Sequence, residues 1–564
     1  MGKPVKYTLL GLGGLLLLVI VAAAVFALTF DPNRYKGEIE RVAKEQTGRT
    51  LAIKGEIRMA FWPSLGARVA GVTFSEKGSD QQFVSFDSAH ASVKLMPLLR
   101  GEYLVDSISL SGLKARVVKG KDGRFNFADL TQAKEKKPAA DKQQEKEGGA
   151  PLVFDISSVS IEKAAIQYID QQAGQEYAID DFRLKTGRIA QDAEGKLELA
   201  MVARRKAPAL TVKLSAEGAY QLKGGVLSGE VTAKLDESTI KARFTAAEPY
   251  NFEASVDKLN LDRYLGAPEK AEKTQQAKKP KQADDTPVDL SALKGINAKG
   301  KLQVGQLEVR GLKLAEVSAQ VNAANGRVTV APFSAKGYEG AVNGELTVDA
   351  NRNQIALKQE LKGVSVGPIL RDFADQDKLE GKGDVALDVR TAGATVNAMK
   401  RELDGTAKVL LRDGAIKGIN LGEIIRKAQS MLGSSSAAQG QSAGDGGQKT
   451  DFTELSASFR IRNGIAHNED LDAKSPLFRL GGAGDINIPA SSLDYLAKAS
   501  VVATSRGQGG KEREDLSGLT IPVRLSGPFD NLSYKVDTKG LARDAAKSKL
   551  GGKVEDKIKD LLKR

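Results

Sequence analysis

The spacing most suggestive of chemistry is Gly295-Ile-Asn-Ala-Lys-Gly300-Lys301, the GxxxxGK pattern of a loop whose amides cradle phosphate. Leu302 stands where a magnesium-binding Ser or Thr is needed, and the following residues alternate as a strand, so the match is read as coincidence. Ser291-Ala-Leu-Lys294 fits SxxK, in which a lysine one helical turn away eases deprotonation of a serine, and Lys185-Thr186-Gly187 supplies a KTG triplet. The order is the reverse of that in penicillin-recognising enzymes, and the intermediate serine motif is missing. With no cysteine, thiol nucleophiles, thiolate metal sites and disulfides are excluded. His90 and His467 are the only histidines, too few for a His-rich zinc site, and are read as structural or surface residues. No HExxH or EF-hand pattern occurs, and 71 Asp and Glu residues are too many for any pair to signal acid–base catalysis. The expectation is a protein that is not an enzyme and needs no metal or cofactor.

The net charge of +13 could suggest nucleic acid, but the cations are spread thinly and lack interleaved aromatic residues. No nucleic-acid partner is expected. A solvated surface, or one facing anionic lipid, fits better.

Residues 8–30, TLLGLGGLLLLVIVAAAVFALTF, carry no charge over 23 positions, enough at about 1.5 Å per residue to cross a hydrocarbon layer of about 30 Å. Lys3 and Lys6 precede them, which places the N-terminus in the cytoplasm and the rest of the chain on the far side. A cleaved signal peptide is the rival reading, disfavoured because the run exceeds a typical h-region of about 7–15 residues.

The elements beyond must position whatever the chain binds. Asp31-Pro32 has the chemistry of a helix start, Tyr35, Ile39, Val42, Ala43 and Gln46 follow helical spacing, and Gly48 suits the helix end. The period then changes to two. Leu51, Ile53, Ile57, Met59 and Phe61 define one long strand ended by Pro63. Leu346 and Val348 alternate with Thr347 and Asp349, and Leu455, Ala457, Phe459 and Ile461 alternate with Ser456, Ser458, Arg460 and Arg462. Each such strand must hide one face, against protein or against something else. With 58 glycines against 17 prolines, many turns between short strands follow, and predominantly antiparallel β structure.

Composition divides the chain into an anchor at 1–30, a helix plus β region at 31–130, a charged linker at 131–150 and a β region at 151–266. A Lys/Gln/Pro linker at 267–288, a β region with a short helix (419–431) at 289–432, and a Gly/Ser/Gln linker at 433–450 follow. A β region at 451–537 and a helical tail at 538–564 complete it. In the tail Val554, Ile558, Leu561 and Leu562 form an apolar stripe able to dock on the sheet, a membrane or a partner.

The chain resembles the AsmA family of inner-membrane-anchored envelope proteins of Gram-negative bacteria. The resemblance rests at the front on FDPNRYKGEIERVAKEQTGRTLAIKGEIRMAFWPSLGARVAGVTF, LMPLLRGEYLVDSISLSGLKARVV and GRFNFADL. At the back it rests on LDGTAKVLLRDGAIKGINL, TDFTELSASFRIRNGIAHNEDLDAKSPLFRLGGAGDINIPASSLDY and IPVRLSGPFDNLSYKVD. It implies a mainly β fold: an elongated antiparallel sheet curled into a groove, apolar inside, with an N-terminal transmembrane helix, a short helix after it and a C-terminal amphipathic helix. It also implies a single-pass protein of the bacterial inner membrane, mostly periplasmic, that passes phospholipid from the inner toward the outer membrane. The named apolar positions from Leu51 to Ile461 then become candidates for lipid contact, with outer-membrane or envelope-assembly proteins as further partners. A β-sandwich alternates equally well, so a scaffold for outer-membrane protein assembly stays open as the alternative.

Overall fold

The computed structural model describes residues 31–131 except 101 and 103, 155–265, 287–418, 449–501 except 476 and 477, and 520–536 except 530. The expected membrane segment at 8–30, the helix at 419–431 and the C-terminal tail with Val554, Ile558, Leu561 and Leu562 lie outside the described residues. Among the described residues no helix is long and apolar enough to cross a membrane.

Strands dominate, and the chain divides into two units between Ala247 and Glu248. The first opens as its sequence indicates. Asp31 Oδ1 accepts the Asn33 amide at 3.0 Å, Pro32 starts a 3-10 turn, and the helix Lys36–Thr47 ends at Gly48 in the left-handed region (φ +70°). No residue of that helix is buried, so its stripe of Tyr35, Ile39 and Val42 remains exposed.

The expected single strand from Leu51 to Phe61 is two strands, Leu51–Ile53 and Ile57–Ala60, both antiparallel to Ser64–Ser75. The break has a steric cause. Gly55 packs so closely on the opposing strand that a Cβ there would lie 2.5 Å from the Ala70 carbonyl oxygen, while Gly71 turns to φ +61° beside it.

The sheet is also mixed, not purely antiparallel. Val105–Ser111 and Lys114–Lys119 both pair parallel with Asp155–Asp170. In the second unit Tyr250–Asn260 pairs parallel with Ala298–Val309. A parallel partner must be reached by a crossover of a dozen or more residues. The two compositional linkers near 131–150 and 267–288 fall within those crossovers.

From Ala298–Val309 onward the second unit is a meander in which each strand pairs antiparallel with its predecessor, through to Ser533–Val536. Arg310-Gly311, Asn325-Gly326 and Asn463-Gly464 all have positive φ at both central positions of two-residue loops. That geometry matches the twist of the flanking strands, which is why Asn-Gly recurs there.

Candidate functional site

Alternation decides which side chains share a face, and register decides which neighbours they meet. In the first unit one cross-strand file runs through ten strands: Ile57, Val69, Ala89, Leu110, Ile161, Leu184, Leu199, Ala216, Ala233 and Ile240. Every member is apolar. The file one residue along each strand is Arg58, Arg68, His90, Ser109, Ser160, Lys185, Glu198, Glu217, Thr232 and Lys241. Every member is polar. The sheet thus has one wet face and one apolar face, and on the apolar face only Ile57 is fully buried, the other nine being half-buried. Neighbouring side chains shield one another, but among the described residues no second layer makes the file dry.

The second unit shows both outcomes. Phe252, Gly300, Val321, Val330, Leu346, Leu357 and Val389 form another half-buried file. Further along, Leu411, Leu455, Ala473, Leu480, Ala499 and Ile521 form a file in which no member exceeds 6% exposure. The helix Val366–Ala374 packs Val366, Ile369 and Leu370 against this closed core.

The residues singled out by sequence distribute between these settings. Leu51 and Ile53 pair with Phe74 and Val72 and are half-buried; Ile57 begins the first apolar file. Met59 belongs to the next apolar file, through Ala67, Ala91, Ile108 and Val159, and Phe61 lies half-buried just past its strand. Leu346 and Val348 are half-buried between Val330 and Leu357 and between Val328 and Ile355. Leu455, Ala457 and Ile461 are buried, Leu455 in the closed core, whereas Phe459 is half-buried opposite Ala407. Sequence reasoning did not single out Leu110, Leu184 or Leu199, although Leu110 and Leu184 alternate with polar neighbours as plainly as Leu346 does.

Polar residues brace both settings. Arg49, fully buried, donates from Nε to Asp129 Oδ2 at 3.1 Å, from Nη1 to the Ser75 carbonyl at 3.1 Å and from Nη2 to the Asn126 carbonyl at 2.6 Å. Its guanidinium also lies 5.1 Å from the Phe83 ring centroid and 5.8 Å from that of Phe74. The Arg49 hydrogen bonds, working against burial, hold the Asp129 carboxyl below its usual range. The TGR and GRFNFADL stretches, far apart in sequence, are tied here.

In the second unit Asn468, 1% exposed, donates to the Ser458 carbonyl and to Asp470 Oδ1, each at 2.7 Å, and accepts from the Tyr495 hydroxyl. Burial raises the Tyr495 phenol pKa well above its ordinary value. His467 points to the wet face between Glu469 Oε1 (3.0 Å) and Asp485 Oδ1 (2.6 Å), carboxylates that raise its pKa.

The motifs considered for chemistry are built into this framework. Lys301 lies in the strand Ala298–Val309 with its ammonium 3.7 Å from Glu253, Ser291–Gly295 is a 3-10 turn, and Thr186 Oγ1 accepts the Val159 amide. Among the described residues no group of three His, Asp or Glu side chains could hold a metal ion.

No solved structure matches the chain. Protein AsmA of Escherichia coli (strain K12) is 22% identical over 598 aligned residues, covering 95% of each chain. The AsmA family pattern matches residues 1–248 and 232–471. With its match spanning both units, the chain belongs to the AsmA family.

Proposed function

We propose that the chain is a membrane-anchored envelope protein that carries phospholipid along the half-open apolar face of its sheet, from the inner toward the outer membrane. The observation that carries this reading is the ten-strand file from Ile57 to Ile240, apolar throughout, only half-buried after its first member, and backed by a file that is polar throughout. At about 4.8 Å per strand its nine intervals extend roughly 43 Å. An acyl chain laid on such a surface keeps about 0.8 kcal/mol per buried methylene while its headgroup stays in water at the margin. Sliding along the ladder exchanges one aliphatic neighbour for another. No nucleophile, general base, metal or cofactor is required, and the reading is that of a carrier and not an enzyme.

Residues 8–30 supply the anchor in this reading, and the bulk of the chain lies in the periplasm. Lipid co-purifying with the full-length protein in a detergent exchangeable for amphipol tests the proposal. Phospholipid should accompany the wild type and be lost on Leu184→Glu/Leu199→Glu, which place charge on the apolar face. Equal phospholipid in that variant and in a Glu198→Gln/Glu217→Gln control would overturn it. The assembly-scaffold reading draws on the closed core around Leu411 and Ile521, which is ordinary dry packing.

A further inference from the structure

At one end of the first strands, apolar side chains stand out in water. Trp62 is 73% exposed, Met96 56% and Leu99 73%. They sit on neighbouring loops, because Ser64 and Lys94 are register partners, so the turn at 61–63 and the segment after Lys94 leave the sheet side by side. Hydrogen bonds tie these loops to the sheet. The Lys94 amide donates to the Leu104 carbonyl at 2.9 Å, Leu99 and Arg100 amides close the turn onto Leu95 and Pro97, and Ser64 Oγ donates to Asp106 at 2.8 Å. Loops that hold a tryptophan, a methionine and a leucine in water lose stability relative to the same loops buried.

The chain's own layout names what covers them. The uncharged 23-residue run ends at Phe30, and three residues later Asn33 is clamped to the sheet, its Oδ1 accepting the Ile57 amide at 2.8 Å and its Nδ2 donating to the Ile57 carbonyl at 3.1 Å. From Ile57 the strand Ile57–Ala60 runs directly toward Trp62, five residues or about 17 Å away. A bilayer crossed by residues 8–30 therefore lies within reach of this edge, and Lys94 and Arg100 flank the apolar tip as cations flank interfacial aromatic residues.

We propose that Trp62, Met96 and Leu99 form a wedge that enters the interfacial layer of the bilayer holding the N-terminal segment. It presents the adjoining file of Met59, Ala67, Ala91 and Ile108, the last 38% exposed, directly to the lipids of that leaflet. This deepens the lipid-carrier reading by assigning the place of loading, and it rests on that reading for its purpose but not for its geometry.

Trp62 is the only tryptophan in the chain, so its emission reports on the wedge alone. The full-length protein is reconstituted into vesicles of phosphatidylethanolamine and phosphatidylglycerol, with and without brominated acyl chains. Trp62 should emit at shorter wavelength than in detergent-free water, be quenched by the brominated lipid and resist aqueous iodide. Leu99→Trp on a Trp62→Phe background should behave alike. Leu130→Trp on the same background, beyond the far end of Ser64–Ser75 and roughly 36 Å away, should be quenched by iodide only. Iodide quenching of Trp62 without bromine quenching overturns the wedge, and so does protection from both quenchers, which would mean a protein cover such as a second copy. If bromine quenches Trp62 while Leu184→Glu/Leu199→Glu retains its phospholipid, the wedge stands and the carrier reading falls; the converse pair of results reverses that.

Discussion

The file from Ile57 to Ile240 and the file from Leu411 to Ile521 are built by the same two-residue alternation, yet one stays half open and the other is dry. The side chains do not explain it, since both files are built of Leu, Ile and Ala, with a single Val in the first. The cover does. The second file belongs to a core cluster against which Tyr338, Leu361 and the helix residues Ile369 and Leu370 pack, and among the described residues the first has no such layer. Among the described residues, six hydrophobic side chains of the first unit are buried against twenty-five in the second. The first unit's largest fully buried side chain is the charged Arg49. One region of this molecule spends its apolar surface on stability and the other leaves it available.

Substitutions should separate the two. Leu411→Ala, at a site with 0% exposure, should cost about 2–5 kcal/mol, read as lost hydrogen-exchange protection across Asp404–Lys417; a loss below about 1 kcal/mol would mean the core is looser than its burial indicates. Asp129→Asn should cost about 3 kcal/mol, confined to the first unit, because it leaves the buried Arg49 guanidinium short of its principal counter-charge. If exchange in Leu51–Ile53 and Ser64–Ser75 is unchanged, that tie is not what braces the unit. Leu199→Ala should cost about 1 kcal/mol or less, since a half-exposed leucine loses little transfer energy and leaves no sealed cavity. A cost equal to that of Leu411→Ala would erase the contrast.

The smallest effect concerns pH. Glu469 and then Asp485 favour protonated His467 in the folded chain, so its pKa lies above the usual value of about 6.5. The stabilisation is complete below that value and fades as pH rises through the folded pKa. Proton resonances of the two histidines should show His467 titrating above 6.5, and His467→Gln should flatten the pH dependence of second-unit stability in that window. A folded pKa at or below 6.5 would show that the carboxylates do not hold the ring.

Much of this was legible in the sequence because alternation, Asn-Gly turns and the Asp31-Pro32 start are local signals. The break at Gly55 was not, because it arises from the close approach of Ala70, a residue fifteen positions away. Nor were the parallel pairings: a strand's alternation records which face it hides, not the direction of its neighbour. For the same reason Leu455 and Leu346 look identical in sequence, and only membership of the buried cluster that includes Leu411, Phe452, Phe478 and Leu480 makes Leu455 core. The polar tie between Arg49 and Asp129 has no local signature at all, only two stretches eighty residues apart.

The most direct test of the central claim places a photocrosslinking residue at Leu184, Leu199 or Ala216 on the apolar file, at Glu198 or Glu217 on the polar file, and at Leu411 in the closed core of the full-length protein in cells. The account predicts phospholipid adducts from the apolar file, none from the polar file, and only intramolecular adducts from Leu411. Protein adducts alone at all three apolar positions, or phospholipid captured equally from both faces, would contradict it.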